Sequence, residues 1–212
     1  FLLPVLHTLL RQQAEARAAQ ERTAADAAHT AAARGEGAPR RAERKKLQIT
    51  FREGDARKFR LPESSFDCVF IMGNSFGYFE REEDDLAVLR TVLRVLKSGG
   101  RVLLDVTDGD WMRSHFEPRS WEWVDQNHFV CRERALASDK VRLISREVVT
   151  HVERGVIADQ FYAERLYTCE DLKRLLRTAG FMDVNRVDAP VTGSDRQQDL
   201  GMMAQRIFIV AT

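Results

Sequence analysis

The stretch FDCVFIMGNSFGYF, residues 66–79, decides the fold. Its nearly continuous apolar run over 66–72 is the pattern of a strand covered on both faces, as in a parallel sheet flanked by helices. The run stops at once in Gly73, Asn74 and Ser75, and aromatic residues follow at Phe76, Tyr78 and Phe79. A buried strand that ends this way presents bare backbone, a carboxamide, a hydroxyl and ring faces at its carboxyl end. In open α/β sheets that is where ligands lie.

Working outward, residues 82–97 carry Leu86, Leu89, Val92, Leu93 and Leu96 as one helical stripe with arginines on the other side. Acids cluster at the start and Lys97 stands near the end, which suits the helix dipole. Ser98-Gly99-Gly100 predicts a stop, and 101–106 a second buried strand. On the other side, residues 47–52 alternate apolar and polar positions and predict a strand, followed by the turn Glu53-Gly54-Asp55-Ala56. Strand, crossover, strand, helix, strand is the alternation of a parallel α/β sheet.

After Thr107 the pattern changes. Segments 121–134, 141–153 and 156–166 are rich in β-branched and aromatic residues, with ASDK and RGV between them as turns. They read as an antiparallel meander inserted into the sheet domain. Thr168 caps a helix in TCEDLKRLLRTAGF, with Glu170 and Asp171 in its first turn and Gly180 at its stop. Strands at 182–187 and 206–211 close the chain.

Residues 1–10 have helical apolar spacing, and 11–46 shift to Ala, Arg, Glu and Gln in a flexible insertion. The resulting partition is an N-terminal helix and insertion over 1–46, an α/β core over 47–107, a substrate-covering insert over 108–167 and a return to the core over 168–212. A chain of 212 residues is large enough to bury a real core. Its net charge of +1 gives no general pull toward nucleic acid or an anionic membrane. Cys68, Cys131 and Cys169 are widely spaced without a C-x-x-C pair, which argues against a disulfide framework or a zinc site and for a reducing, cytoplasmic setting. The apolar segment 1–10 is shorter than the roughly 20 residues that span a bilayer and lacks the basic leader and small-residue cleavage site of a signal peptide.

The segments ITFREGDARKFRLPESSFDCVFIMGNSFGYF, VLRVLKSGGRVLLDV and LYTCEDLKRLLRTAGF, taken in order, resemble the class I S-adenosylmethionine-dependent methyltransferases, especially their small-molecule branch. The resemblance covers 47–106 and, more thinly, 167–187. It implies a Rossmann-like doubly wound, mostly parallel sheet, S-adenosylmethionine as cofactor, and methyl transfer to a small-molecule acceptor by in-line displacement, with no metal and no covalent intermediate. It also implies that Gly54, Asp55 and Ala56 form the strand-end turn that reads adenine through the Asp55 carboxylate, although an Asp there also serves as a plain turn residue. Gly73, Asn74 and Ser75 then approach the cofactor by backbone and hydrogen bonds. Phe76, Tyr78 and Phe79 shield the sulfonium region from water, a role that competes with ordinary core packing for Phe76 and Phe79.

One departure stands out. The family's glycine-rich loop and the acidic residue that holds the ribose are not found upstream of Leu47, and the chain begins with Phe rather than Met. Residues 1–10 resemble the helix after the family's second strand. The expectation is a methyltransferase sheet without its first two strands, and cofactor binding weakened accordingly.

Acceptor handling points to the insert, where most of the Trp and Tyr residues concentrate. Tyr78, Trp111 and Tyr162 are the substrate candidates, and His128 is the candidate general base, with a surface role as its plain alternative. Asp108 and Asp110 follow a strand and either hold substrate or cap a turn. A nucleotide-binding oxidoreductase would need a glycine fingerprint that the sequence lacks. The alternative from another class is a non-catalytic methyltransferase-like domain that binds a protein. The identity of the acceptor and the oligomeric state are not written in these residues.

Overall fold

The computed structural model describes Glu43, Lys46, residues 48–188 and residues 205–212. The helix expected at 1–10 and nearly all of the insertion expected over 11–46 lie outside the described residues. The chain divides into two compact units, Phe1–Glu53 and Gly54–Thr212.

In the first unit, Lys46 N donates to Glu43 O at 2.9 Å and the backbone then runs on without regular structure. The strand expected at 47–52 does not form over its described residues, 48–52, and Ile49 and Phe51 are exposed. Alternation supplies a strand with a face, but a strand persists only with a ladder partner, and none of the described residues of this unit provides one.

The second unit opens with β1 (Phe66–Ile71), α1 (Glu82–Val95) and β2 (Leu96–Thr107). β1 and β2 pair in parallel, Cys68 opposite Arg101 through Ile71 opposite Leu104, as the alternation predicts. The helix ends sooner than expected. Leu96 already pairs with Phe66, so Ser98-Gly99-Gly100 lies within the strand, where Gly99 takes a left-handed φ of 74°. The chain later returns through β7 (Val184–Val187) and β8 (Arg206–Ala211), giving the order β1-β2-β8-β7 with β8 antiparallel to both neighbours. The sheet is therefore mixed. β1 stands at its edge, and the expectation of a strand covered on both faces fails: Phe70 is 65% exposed, while Val69 and Ile71 pack on the core.

That core joins the sheet to α1 and to α3 (Cys169–Ala179). Leu89 of α1, Leu172 and Leu176 of α3, and Leu104, Ile207 and Ile209 of the sheet are fully buried. Each such side chain contributes about 1.5–3 kcal/mol relative to exposure. Thr168 forms the expected cap as a reciprocal capping box with Asp171, and Gly180 ends the helix at φ 114°.

The insert forms a second, antiparallel sheet in the order β3 (Arg119–Trp123), β4 (His128–Leu136), β5 (Arg142–His151) and β6 (Gly155–Arg165). The meander is as expected, but its first segment is a hairpin and not one strand. Asp125 breaks it, its Oδ1 accepting from Asn127 N at 2.8 Å and His128 N at 2.9 Å. A short helix, α2 (Gly109–His115), opens the insert ahead of these strands and was not expected. Asp108 caps it, accepting from Asp110 N at 3.0 Å and Trp111 N at 3.3 Å, so the capping reading of Asp108 holds. The sheets are joined by Arg165 N donating to Gly77 O at 2.7 Å and Gly109 N donating to Tyr167 O at 3.0 Å. Among the described residues, no helix is long and apolar enough to cross a membrane.

Candidate functional site

The chain turns sharply after β1. Gly73 and Asn74 both take left-handed φ values, 69° and 58°, which glycine adopts freely and asparagine tolerates better than most side chains. The turn is fastened to the end of β2: Gly73 N donates to Asp105 Oδ2 at 3.0 Å and Asn74 N to Asp105 O at 3.1 Å. Asp105 is itself buried in an ion pair with Arg206 of β8.

The Asn74 carboxamide is engaged on every side. Its Oδ1 accepts from Thr107 N at 2.9 Å, and its Nδ2 donates to Glu164 Oε2 at 2.5 Å and to Tyr78 OH at 3.2 Å. Asn74 thus ties the core to the insert, and its polar atoms are occupied within the protein. Ser75 closes the turn, its hydroxyl donating to Met72 O at 2.7 Å. Phe76 is 4% exposed and packs against Tyr167 with ring centroids 5.7 Å apart, so its ring belongs to the core and to the wall of a cavity at once.

That cavity, about 640 Å³, runs along β1 and past its carboxyl end. Gly54, Ala56, Ser75, Phe76 and Tyr78 all line it, with Val88, Val92 and Val95 of α1 opposite. The structure thus brings five of the expected site residues around one space. Gly54 is needed there, because a Cβ at this position would fall 2.4 Å from the Phe59 ring.

Asp55, Gly73 and Asn74 are not among the lining residues. Asp55 is clamped by Arg57, which donates from its backbone N at 2.9 Å, from Nε at 3.0 Å and from Nη2 at 2.8 Å. This hydrogen bonding lowers the Asp55 pKa to about 2, so the group is ionised at neutral pH. Arg57 also reaches Asp84 of α1 at 3.1 Å and lies over the Phe79 ring. The turn role of Asp55 is visible in these bonds.

The acceptor candidates separate. Tyr162 meets Tyr78, ring centroids 6.0 Å apart, and burial raises the pKa of both phenols. Trp111 instead stacks on His115 at 4.8 Å and packs in a second small core with Met112, Leu143 and Leu166. His128 pairs with Asp125 at 2.9 Å and meets His151 edge-on at 5.1 Å, at the end of β4. It belongs to the hairpin turn and is not among the cavity residues.

Three buried acids beside the site were missed in the sequence, and a fourth, Glu147 of β5, pairs with Arg132 at 2.8 Å. Asp105 holds the Gly73 turn, Glu164 receives Asn74, and Asp85 of α1 accepts from Tyr167 OH at 2.7 Å and from Arg165 Nε at 3.4 Å. Burial is the largest influence on both Asp85 and Glu164, and it raises their pKa values. No local signal marks them. Asp85 reads as one of four acids that open a helix, and Glu164 as an ordinary member of a strand.

Residues 8–100 match the family model of a methyltransferase domain. The chain is 25% identical over 166 residues to the putative methyltransferase YqeM of Bacillus subtilis, covering 77% of this chain and 65% of that protein. It is 38% identical over 69 residues to the cypemycin N-terminal methyltransferase of a Streptomyces species, covering 32% of this chain and 28% of that one. The chain therefore spans less than two thirds of these curated relatives. In fold it is similar to a crystal structure of an S-adenosylmethionine-dependent methyltransferase from Clostridium acetobutylicum, with a TM-score of 0.63 at 17% identity, covering 82% of this chain and 69% of that one. It is also similar to the DesVI protein of Streptomyces venezuelae, with a TM-score of 0.57 at 21% identity, covering 80% and 68% of the two chains.

Proposed function

We infer that this chain, a relative of the class I S-adenosylmethionine-dependent methyltransferases, is part of an enzyme that transfers a methyl group to a small-molecule acceptor. The observation that carries the reading is the convergence of Gly54, Ala56, Ser75, Phe76 and Tyr78 on one cavity beside β1. When bound, S-adenosylmethionine supplies a methyl group made electrophilic by its sulfonium sulfur. The apolar wall of Val69, Ile71 and Phe76 suits a purine, with Gly54 and Ala56 admitting it by their small size.

The fit covers the adenine half only. Ser75, Tyr78 and Thr91 put hydroxyls in the lining, but no carboxylate or carboxamide is among the described lining residues to hold the ribose or the amino-acid end, because Asp55 is held by Arg57 and Asn74 by Glu164. The exposed edge of β1 supports a sheet that further strands continue in the whole enzyme, bringing those partners with them. The domain limits read from the sequence, with the insert covering the acceptor, belong to the same proposal. What these residues do is hold and orient: Asn74 and Asp105 fix the turn that forms the cavity's end, and the aromatic rings exclude water.

Names of similar solved proteins include a sugar N-methyltransferase and an amino pentose methyltransferase, which supports a small polar acceptor. A second reading, a methyltransferase-like domain that binds a protein, is favoured by the outer face of the insert, where Trp121, 69% exposed, and Trp123 both pack on Phe129. Calorimetric titration with S-adenosylhomocysteine separates the two. Micromolar binding, lost in Ala56→Trp, is the expected result. A folded chain that does not bind, alone and with its upstream strands restored, refutes the enzyme and favours the protein-binding reading.

A further inference from the structure

Glu164, on β6, is 2% exposed. Its Oε2 accepts from Asn74, and its Oε1 has no hydrogen-bond partner. Among the described residues no cation lies within ion-pair distance of this carboxylate. The nearby guanidiniums attract it through their charge and bond to other groups as well: Arg206 pairs with Asp105, and Arg134 donates to Ser120 Oγ at 2.9 Å and Glu117 O at 3.2 Å. A carboxylate buried with a spare oxygen and no paired cation is costly to the fold, and such a cost persists where a ligand relieves it.

Two phenol rings stand beside it. Tyr162 is two residues earlier in β6 and so on the same face of the strand. Its ring lies 6.0 Å from that of Tyr78, whose hydroxyl accepts from the same Asn74 amide that donates to Glu164. Tyr78 also lines the cavity beside β1. The Asn74 amide therefore links the carboxylate to Tyr78 at the cavity wall, while Glu164 and Tyr162 themselves stand behind that wall.

We propose that Glu164, Tyr78 and Tyr162 form a subsite for a cationic amine, and that the methyl acceptor is a small molecule carrying an ammonium group. The second half of this statement rests on the methyltransferase reading; the first does not. An ammonium ion can donate to the spare Glu164 oxygen in a charge-assisted hydrogen bond while the negative faces of the phenol rings attract its charge. A neutral hydroxyl leaves the buried charge unmatched, and a carboxylate is repelled by it.

The test uses the whole chain with side-chain carbon labels in Tyr and Glu, titrated by NMR near neutral pH with propylammonium, 1-propanol and propionate. Saturable shifts at Tyr78, Tyr162 and Glu164 are expected with propylammonium alone. Glu164→Gln keeps an oxygen to accept from Asn74 and is expected to weaken propylammonium binding about tenfold or more, the loss of one hydrogen bond to a charged group. Tyr162→Leu, which leaves Glu164 and Asn74 untouched, is expected to weaken it severalfold. Equal binding of propanol, no saturable shift at Glu164, or unchanged propylammonium affinity in either variant overturns the subsite. A parallel titration with S-adenosylhomocysteine keeps the two ideas apart. Nucleoside binding without preference for the ammonium probe overturns the subsite alone. Preference for the ammonium probe without nucleoside binding, also when the upstream strands are restored, supports the subsite and removes the methyltransferase reading.

Discussion

Replacing Asn74 with alanine tests whether the joint between core and insert is built as described. The substitution deletes the donor to Glu164 and the acceptor for Thr107 N, both buried. The hydrogen bond to the carboxylate accounts for roughly 1.5–3 kcal/mol and the one to the amide for about 1 kcal/mol. Alanine must also adopt the left-handed φ of 58° at this position, which costs an L side chain roughly 1–2 kcal/mol. Together these predict a loss of about 3.5–6 kcal/mol, a large share of a typical domain's stability. Urea denaturation followed by circular dichroism and tryptophan fluorescence reads this as a lower midpoint at unchanged slope. Asn74→Gly loses the same hydrogen bonds without the φ strain and is expected to recover about 1 kcal/mol of the deficit. The deficit also shrinks in acid, because protonation of Glu164 removes the buried charge that the Asn74 amide serves. A loss below about 1 kcal/mol at neutral pH for Asn74→Ala refutes the reasoning.

Glu164→Gln isolates the buried charge. The folded-state pKa of Glu164 is raised above its ordinary value of 4.5 by burial, so the native state binds the proton more tightly than the unfolded chain does. Wild-type stability attributable to this group is full below the unfolded value and falls as pH rises through the folded one; relative to Glu164→Gln, the wild type is expected to weaken with rising pH, and a flat difference between the two would refute the shift. Gly77→Ala places a Cβ 3.2 Å from Arg165 O at φ 91°, and is expected to cost about 1–3 kcal/mol and to loosen the insert, seen as faster amide exchange in β6. Thr168→Ala removes the capping box of α3 and is expected to cost about 1 kcal/mol in the same denaturation assay, with no effect on nucleoside binding.

Local chemistry determined much of this protein in advance. The apolar run before Gly73, the α1 stripe, the Thr168 cap and the Gly180 stop each depend on residues within a turn or a strand's length, and each formed where the sequence places it, save that α1 stops at Val95 and leaves Leu96 of its stripe to β2. The β-rich insert was readable for the same reason. The hairpin at Asp125 and the short α2 were not, because a few side-chain-to-backbone bonds decide them and apolar periodicity does not record such bonds. The strand expected at 47–52 and the double burial expected of β1 failed because both depend on neighbours, and alternation specifies a face without supplying the strand that pairs with it. The site divides along the same line. Ser75, Phe76 and Tyr78 line the cavity because they directly follow β1, whereas Gly54 and Ala56, named from the resemblance, reach it from the turn before that strand. Only the tertiary structure turned Asp55 toward Arg57, occupied Asn74, and buried Glu164 beside two tyrosines, since its 90-residue separation from Asn74 closes only when the insert folds back on the core. Burial and partnership, which set the charge and the use of every acid here, are properties of that closure and not of any segment alone.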